Sequence, residues 1–138
     1  MTNQKEETIR LEYPEEACTG SYQVIRLNEY HFLLRCNDPF IEALSYGTVI
    51  QAEVHASEKN TYVFKRIVEQ STYTSEVIFL PSQLNETELH AVGNLIEEAG
   101  GFWEVWFGGM ACVNLPIGSH LNLSEALNDR ITKKKNYL

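Results

Sequence analysis

Between residues 67 and 129 the chain has no lysine and no arginine. The same stretch carries Glu69, Glu76, Glu86, Glu88, Glu97, Glu98, Glu104, Glu125 and Asp129, so this block accounts for the chain's formal net charge of −8. A one-signed acidic field repels nucleic acid and anionic lipid, and it speeds encounter with a basic partner. Neither a nucleic-acid nor a membrane partner is therefore expected. No apolar run approaches the roughly 18 residues of a membrane-spanning helix. The opening "MTNQKEETIR" has no apolar segment of the kind a secretory signal needs. Cysteine is scarce: Cys18, Cys36 and Cys112 are odd in number and widely spaced. That usage fits a reducing, cytoplasmic compartment better than a disulfide framework.

The chemistry of most enzymes is missing as well. His31, His55, His90 and His120 are scattered, and no Cys or His pair has metal-ligand spacing. Neither a phosphate-binding G-x-x-x-x-G-K-[ST] nor a dinucleotide-binding G-x-G-x-x-G occurs, so no cofactor is expected. Gly108-Gly109 falls in a predicted hairpin rather than at a helix N-terminus, where phosphate would bind. There is no G-x-S-x-G. Cys112 falls in a predicted core strand, where a thiol is buried and inert. Cys36 and His31 stand five residues apart on one strand and so project to opposite faces. Tyr46, His31 and Glu53 have suitable chemistry but no motif around them. No catalytic residue is assigned, and the chain reads as a non-enzyme.

What is present is a strand-rich half followed by a mixed half. "SYQVIRL" (21–27) and "YHFLLRC" (30–36) form a hairpin across Asn28-Glu29. "FIEAL" (40–44) has room for one helical turn. "SYGTVIQAEV" (45–54) turns at Gly47 into a strand, and "TYVFKRIVE" (61–69) returns after the turn "SEKN". "YTSEVIFL" (73–80) is a strand stopped by Pro81. "NETELHAVGNLIEEAG" (85–100) is the clearest helix: Asn85 and Glu88 form a capping box, Leu89, Val92, Ile96 and Ala99 share a face, and Gly100 ends it. "FWEVWF" (102–107) and "MACVNL" (110–115) make a hairpin. "NLSEALNDRI" (122–131) repeats the cap logic with Asn122 and Glu125. The expected organisation is a flexible arm at 1–10, a β-rich lobe at 11–71, a lobe at 72–132 and a basic tail at 133–138. The fold class is α+β: antiparallel β-hairpins, as a small sheet or barrel, then a ferredoxin-like βαββα unit.

"LSYGTVIQAE" (44–53) followed by "YVFKRIVEQSTYTSEVIFL" (62–80) resembles a family of short, uncharacterised bacterial proteins. In them a Ser-Tyr-Gly-Asp-Val turn opens a strand, a basic-apolar strand returns, and a Ser/Thr-rich bridge leads into a strand–helix–strand unit. The resemblance covers roughly residues 20–130 by layout, with Thr48 standing where the family has Asp. It implies the fold and carries no catalytic residue across.

One strand raises a functional question. In "FWEVWF", Trp103, Val105 and Phe107 share one face, the natural core face under the 85–99 helix. Phe102, Glu104 and Trp106 share the other, which is core if the second helix covers it and a binding surface if not. Aromatics flanking a carboxylate suit a protein interface that receives lysine or arginine. The outer helix face, with Glu86, His90 and the adjacent Asn94, Glu97 and Glu98, extends that surface. The leading expectation is a cytoplasmic, acidic, immunity-type inhibitor that neutralises a basic toxin, a nuclease being the natural class. A second reading is a small-molecule-binding regulatory domain with its pocket between the lobes.

Overall fold

The computed structural model describes residues 5–106 and 109–136, with side chains described as far as residue 129. The chain divides into two compact units, Met1–Thr72 and Tyr73–Leu138. The first contains five strands, β1 (Glu6–Tyr13), β2 (Cys18–Arg26), β3 (His31–Leu34), β4 (Val49–Val54) and β5 (Thr61–Glu69). The second runs β6 (Tyr73–Phe79), α1 (Glu86–Glu98), β7 (Phe102–Trp106), β8 (Met110–Pro116) and α2 (Leu123–Asn136). The α+β class is as the sequence predicts, and so is the order of elements from β6 onward.

The first unit is a closed barrel in the order β1-β2-β3-β4-β5. Consecutive strands pair antiparallel, so with an odd number the closing pair, β1 with β5, must be parallel, as it is. Register shifts at Val49/Ile50 and Gln51/Ala52 break the β4–β5 ladder, and bulges of this kind supply the bend a small barrel needs. Its interior is filled by Ile9, Leu11, Tyr22, Val24, Phe32, Leu34, Ile50 and Ala52. Leu44, on the 38–44 turn, joins the same core. Asp38 organises that turn by accepting from the backbone N–H groups of Phe40 and Ile41 at 2.7 and 2.9 Å, and it receives the Tyr22 hydroxyl. Burial, then that bond, raises the Tyr22 pKa far above its ordinary value.

Three expectations change. Residues 6–10 are not part of an arm but the first half of β1, with Ile9 fully buried. Their charged neighbours disguised a strict alternation in which Ile9, Leu11 and Tyr13 point inward. Five strands rather than four therefore precede β6. Residues 40–44 form a turn without a helix. At the other end, the helical backbone of α2 runs through residues 133–136, expected as tail.

The second unit is a three-stranded sheet, order β6-β8-β7, with β8 antiparallel to both neighbours. This is the split βαβ order of a ferredoxin-like unit without a fourth strand. The α1 capping box forms as predicted: Asn85 Oδ1 accepts from Glu88 N at 2.8 Å, and Glu88 Oε1 accepts from Asn85 N at 3.1 Å. At the other end Gly100 has φ +82°. Its N–H bonds to Glu97 O at 2.9 Å while Gly101 N–H bonds to Ile96 O at 2.9 Å, a Schellman closure that calls for a left-handed residue. Gly101 then passes so close to β8 that a Cβ there would sit 2.3 Å from the Asn114 carbonyl oxygen. Asn122 caps α2, accepting from Glu125 N at 3.0 Å. No described helix is long and apolar enough to cross a membrane.

Candidate functional site

Register decides which residues share a face of the second sheet. Trp103 lies opposite Val113, which lies opposite Glu76, and Val105 lies opposite Ala111. Phe102, Glu104 and Trp106 lie opposite Asn114, Cys112 and Met110, on the other side. The core of this unit joins Val92 and Ile96 of α1 with Leu123 and Leu127 of α2 and with Val113, and Trp103 packs against it. Both helices therefore cover the Trp103 face. The second helix does not cover the Phe102/Glu104/Trp106 face.

The predicted site is accordingly split by the sheet. Glu86, His90 and Glu97 come together on α1, with Asn94, Leu89, Gly93 and Trp103, around an open depression of about 370 Å³. Glu98 is exposed beside Glu97 but does not line it. Phe102, Glu104 and Trp106 are half-buried on the far side and contribute nothing to it. Val105, expected in the core, is 56% exposed at the strand's end, and Phe107 lies outside the described residues. Trp103, read as core, is half-buried and forms one wall of the depression.

Local structure explains the depression. Glu86, His90, Asn94 and Glu97 recur at intervals of three or four residues, so they form one stripe along about three helical turns. Gly93 sits within that stripe and is buried. A Cβ there would approach Trp103 Nε1 to 3.0 Å and Cε2 to 3.3 Å. Its absence lets the indole lie directly against the helix backbone, and the groove opens between that ring and the carboxylates. The sequence signal was available as a helical glycine followed ten residues later by a strand tryptophan, but nothing in one sequence ties the two together.

The electrostatics of the two units differ in kind. In the barrel Arg26 Nη2 donates to Glu7 Oε1 at 2.8 Å and to the Tyr62 hydroxyl at 2.8 Å, lying over the Phe32 ring at 4.9 Å. These bonds, to Glu7 first and Tyr62 second, raise the Arg26 pKa further. Lys65 pairs with Glu53 at 3.6 Å, His55 with Glu12 at 3.4 Å and Arg35 with Glu6 at 3.6 Å. His31 Nδ1 is held by Asn28 at 2.9 Å. Among the described residues, Glu76, Glu86, Glu97 and Glu98 make no ion pair. Glu97 and Glu98 also stand in the last turn of α1, which has no basic residue. A helix C-terminus carries partial negative charge, so a carboxylate there is unfavourable by about 0.3–1 kcal/mol.

On the far face, Asn114 is fully buried. Its amide donates to Phe102 O at 3.1 Å and its Oδ1 receives the Ser75 hydroxyl at 2.6 Å, so one side chain ties β8 to both neighbours. Cys112 is buried, and burial first, then the charge of Glu104, raises its thiol pKa to about 11. It is buried, as the sequence predicts. Among the described residues no group of His, Cys, Asp and Glu has the arrangement of a metal site.

No protein-family model and no curated protein matches the chain. Among solved structures it is similar to a hypothetical protein from Neisseria gonorrhoeae, at 18% identity over 96% of this chain and 92% of that one, with a TM-score of 0.54. At that identity the likeness concerns the fold alone.

Proposed function

We propose that this is a non-enzymatic acidic binding protein that docks on a basic protein, in the manner of an immunity-type inhibitor covering the cationic surface of a toxin such as a nuclease. The observation that carries the reading is the α1 stripe: Glu86 and Glu97, without ion pairs among the described residues, border a depression walled by an indole. Carboxylates in that setting steer a cationic surface, and the aromatic wall supplies contact area at little entropic expense. The last-turn carboxylates add support, since they oppose the helix dipole and a cationic partner would relieve them.

The test uses the full chain and a panel of purified basic nucleases, with acidic proteins as controls. Association rates and nuclease activity are measured at low and physiological salt. Inhibition of at least one nuclease is expected, with an association rate that falls on the order of tenfold when Glu86, Glu97 and Glu98 are all changed to Lys. An association rate and salt dependence indifferent to that reversal would overturn the reading.

A further inference from the structure

Glu86 and Glu97 are eleven residues apart on α1, which places them about 16 Å apart along the axis and within about 20° of one line. Gly93, with the Trp103 ring against it, lies between them on the same line. The groove thus has a carboxylate at each end and an indole near its middle. A single cation is too short to reach both carboxylates.

Resting on the docking reading above, we infer that the groove receives an extended segment of the partner with basic residues at positions i and i+4 and an apolar residue at i+2. In an extended chain, alternate residues face one side and rise about 3.3 Å each, so i and i+4 stand about 13 Å apart. Lysine or arginine side chains span the remainder and reach Glu86 and Glu97. The apolar residue between them lies on the Trp103 ring, with Leu89 alongside. Residues i+1 and i+3 face away. Charge complementarity selects this occupant over a second copy of the chain, whose net charge of −8 would meet the same charge.

The test is a titration of the isotope-labelled full chain, read at the Trp103 indole N–H resonance, which Trp106→Phe identifies by elimination. The probes are acetyl-Arg-Ser-Leu-Ser-Arg-amide and acetyl-Arg-Arg-Leu-Ser-Ser-amide, equal in charge and composition, with sodium chloride as the ionic control. The spaced peptide should saturate the resonance at least fivefold more tightly than the clustered one. Glu86→Gln with Glu97→Gln, surface changes that leave the core untouched, should erase that difference. A tie between the peptides, or a response that sodium chloride reproduces, overturns the segment assignment. The docking reading still stands in that event if basic nucleases lose association rate on charge reversal, and falls with it if they do not. A concentration-dependent shift of the same resonance without peptide would assign the groove to a second copy and overturn the inference.

Discussion

The two units handle a carboxylate differently. In the barrel, Glu7 pairs with Arg26 and Glu53 with Lys65 across neighbouring strands, Glu6 meets Arg35 just past β3 and Glu12 meets the His55 ring just past β4, and every strand has two partners. In the second unit β6 and β7 each have one strand neighbour, and Glu86 and Glu97 of α1 stand along an open groove. Residues 73–129 contribute eight carboxylates and no Lys or Arg, whereas residues 1–72 intersperse seven cations with eleven acids. The lesson is that net charge says little about placement: interspersed charge on adjacent strands pairs, and segregated charge along one helix cannot.

The sharpest test of the contrast is chemical. Cys18 is exposed in the barrel and Cys112 buried in the second sheet. An aromatic disulfide reagent should label Cys18 on the order of a hundredfold or more faster than Cys112, which reacts only when the structure opens. Comparable rates would mean that the centre of the second sheet is not closed. The same thiol sets a pH dependence. Its folded pKa of about 11 lies above the ordinary value, so its contribution to stability is complete at neutral pH and is lost as pH rises from about 9 through about 11. Cys112→Ala should flatten that part of the stability profile, as followed by urea titration.

Core substitutions come next. Phe32, fully buried in the barrel, should lose about 3–5 kcal/mol of unfolding free energy as Phe32→Ala. A loss below about 1 kcal/mol would break the picture of a filled barrel. In the second unit Gly101→Ala should destabilise by about 1–3 kcal/mol, because its Cβ would collide with the Asn114 carbonyl and Leu115. At Gly109, on the same hairpin, a Cβ would meet nothing within 4 Å, and Gly109→Ala should change stability by less than about 0.5 kcal/mol.

The smallest effects define the electrostatic contrast best. Glu97→Lys should stabilise the protein by about 0.3–1 kcal/mol, since it replaces an unfavourable charge at a helix C-terminus, while weakening binding. Lys65→Ala should cost about 0–1 kcal/mol, since its pair with Glu53 is half-exposed. Opposite signs in a urea titration would sharpen the difference between units, and equal signs would remove it.

Local rules carried most of the element order. The Asn85–Glu88 box, the Gly100 closure and the Asn28 turn are short-range hydrogen-bond problems, and each formed where its residues predicted. Asn28 Oδ1 indeed accepts from Tyr30 N and His31 N at 3.0 Å. The first strand was missed because its outward residues, Glu6, Arg10 and Glu12, gave it the composition of a tail. Its pairing partners, β2 and β5, include residues some fifty positions away. The site was half legible. Glu86, His90 and Glu97 followed from helical periodicity. Phe102, Glu104 and Trp106 do not extend that stripe, because the sheet face they share is the one turned away from α1.

By itself the sequence determined the α+β order, the caps and the one-signed charge of residues 67–129, since these depend on neighbours a few positions apart. Tertiary structure alone decided that both helices share one face of the second sheet. It also decided that Gly93 admits the Trp103 ring and that Asn114 is buried with its bonds satisfied. Each of those outcomes depends on contacts between segments distant in the chain, and the energy of such contacts exists only once the segments have been packed.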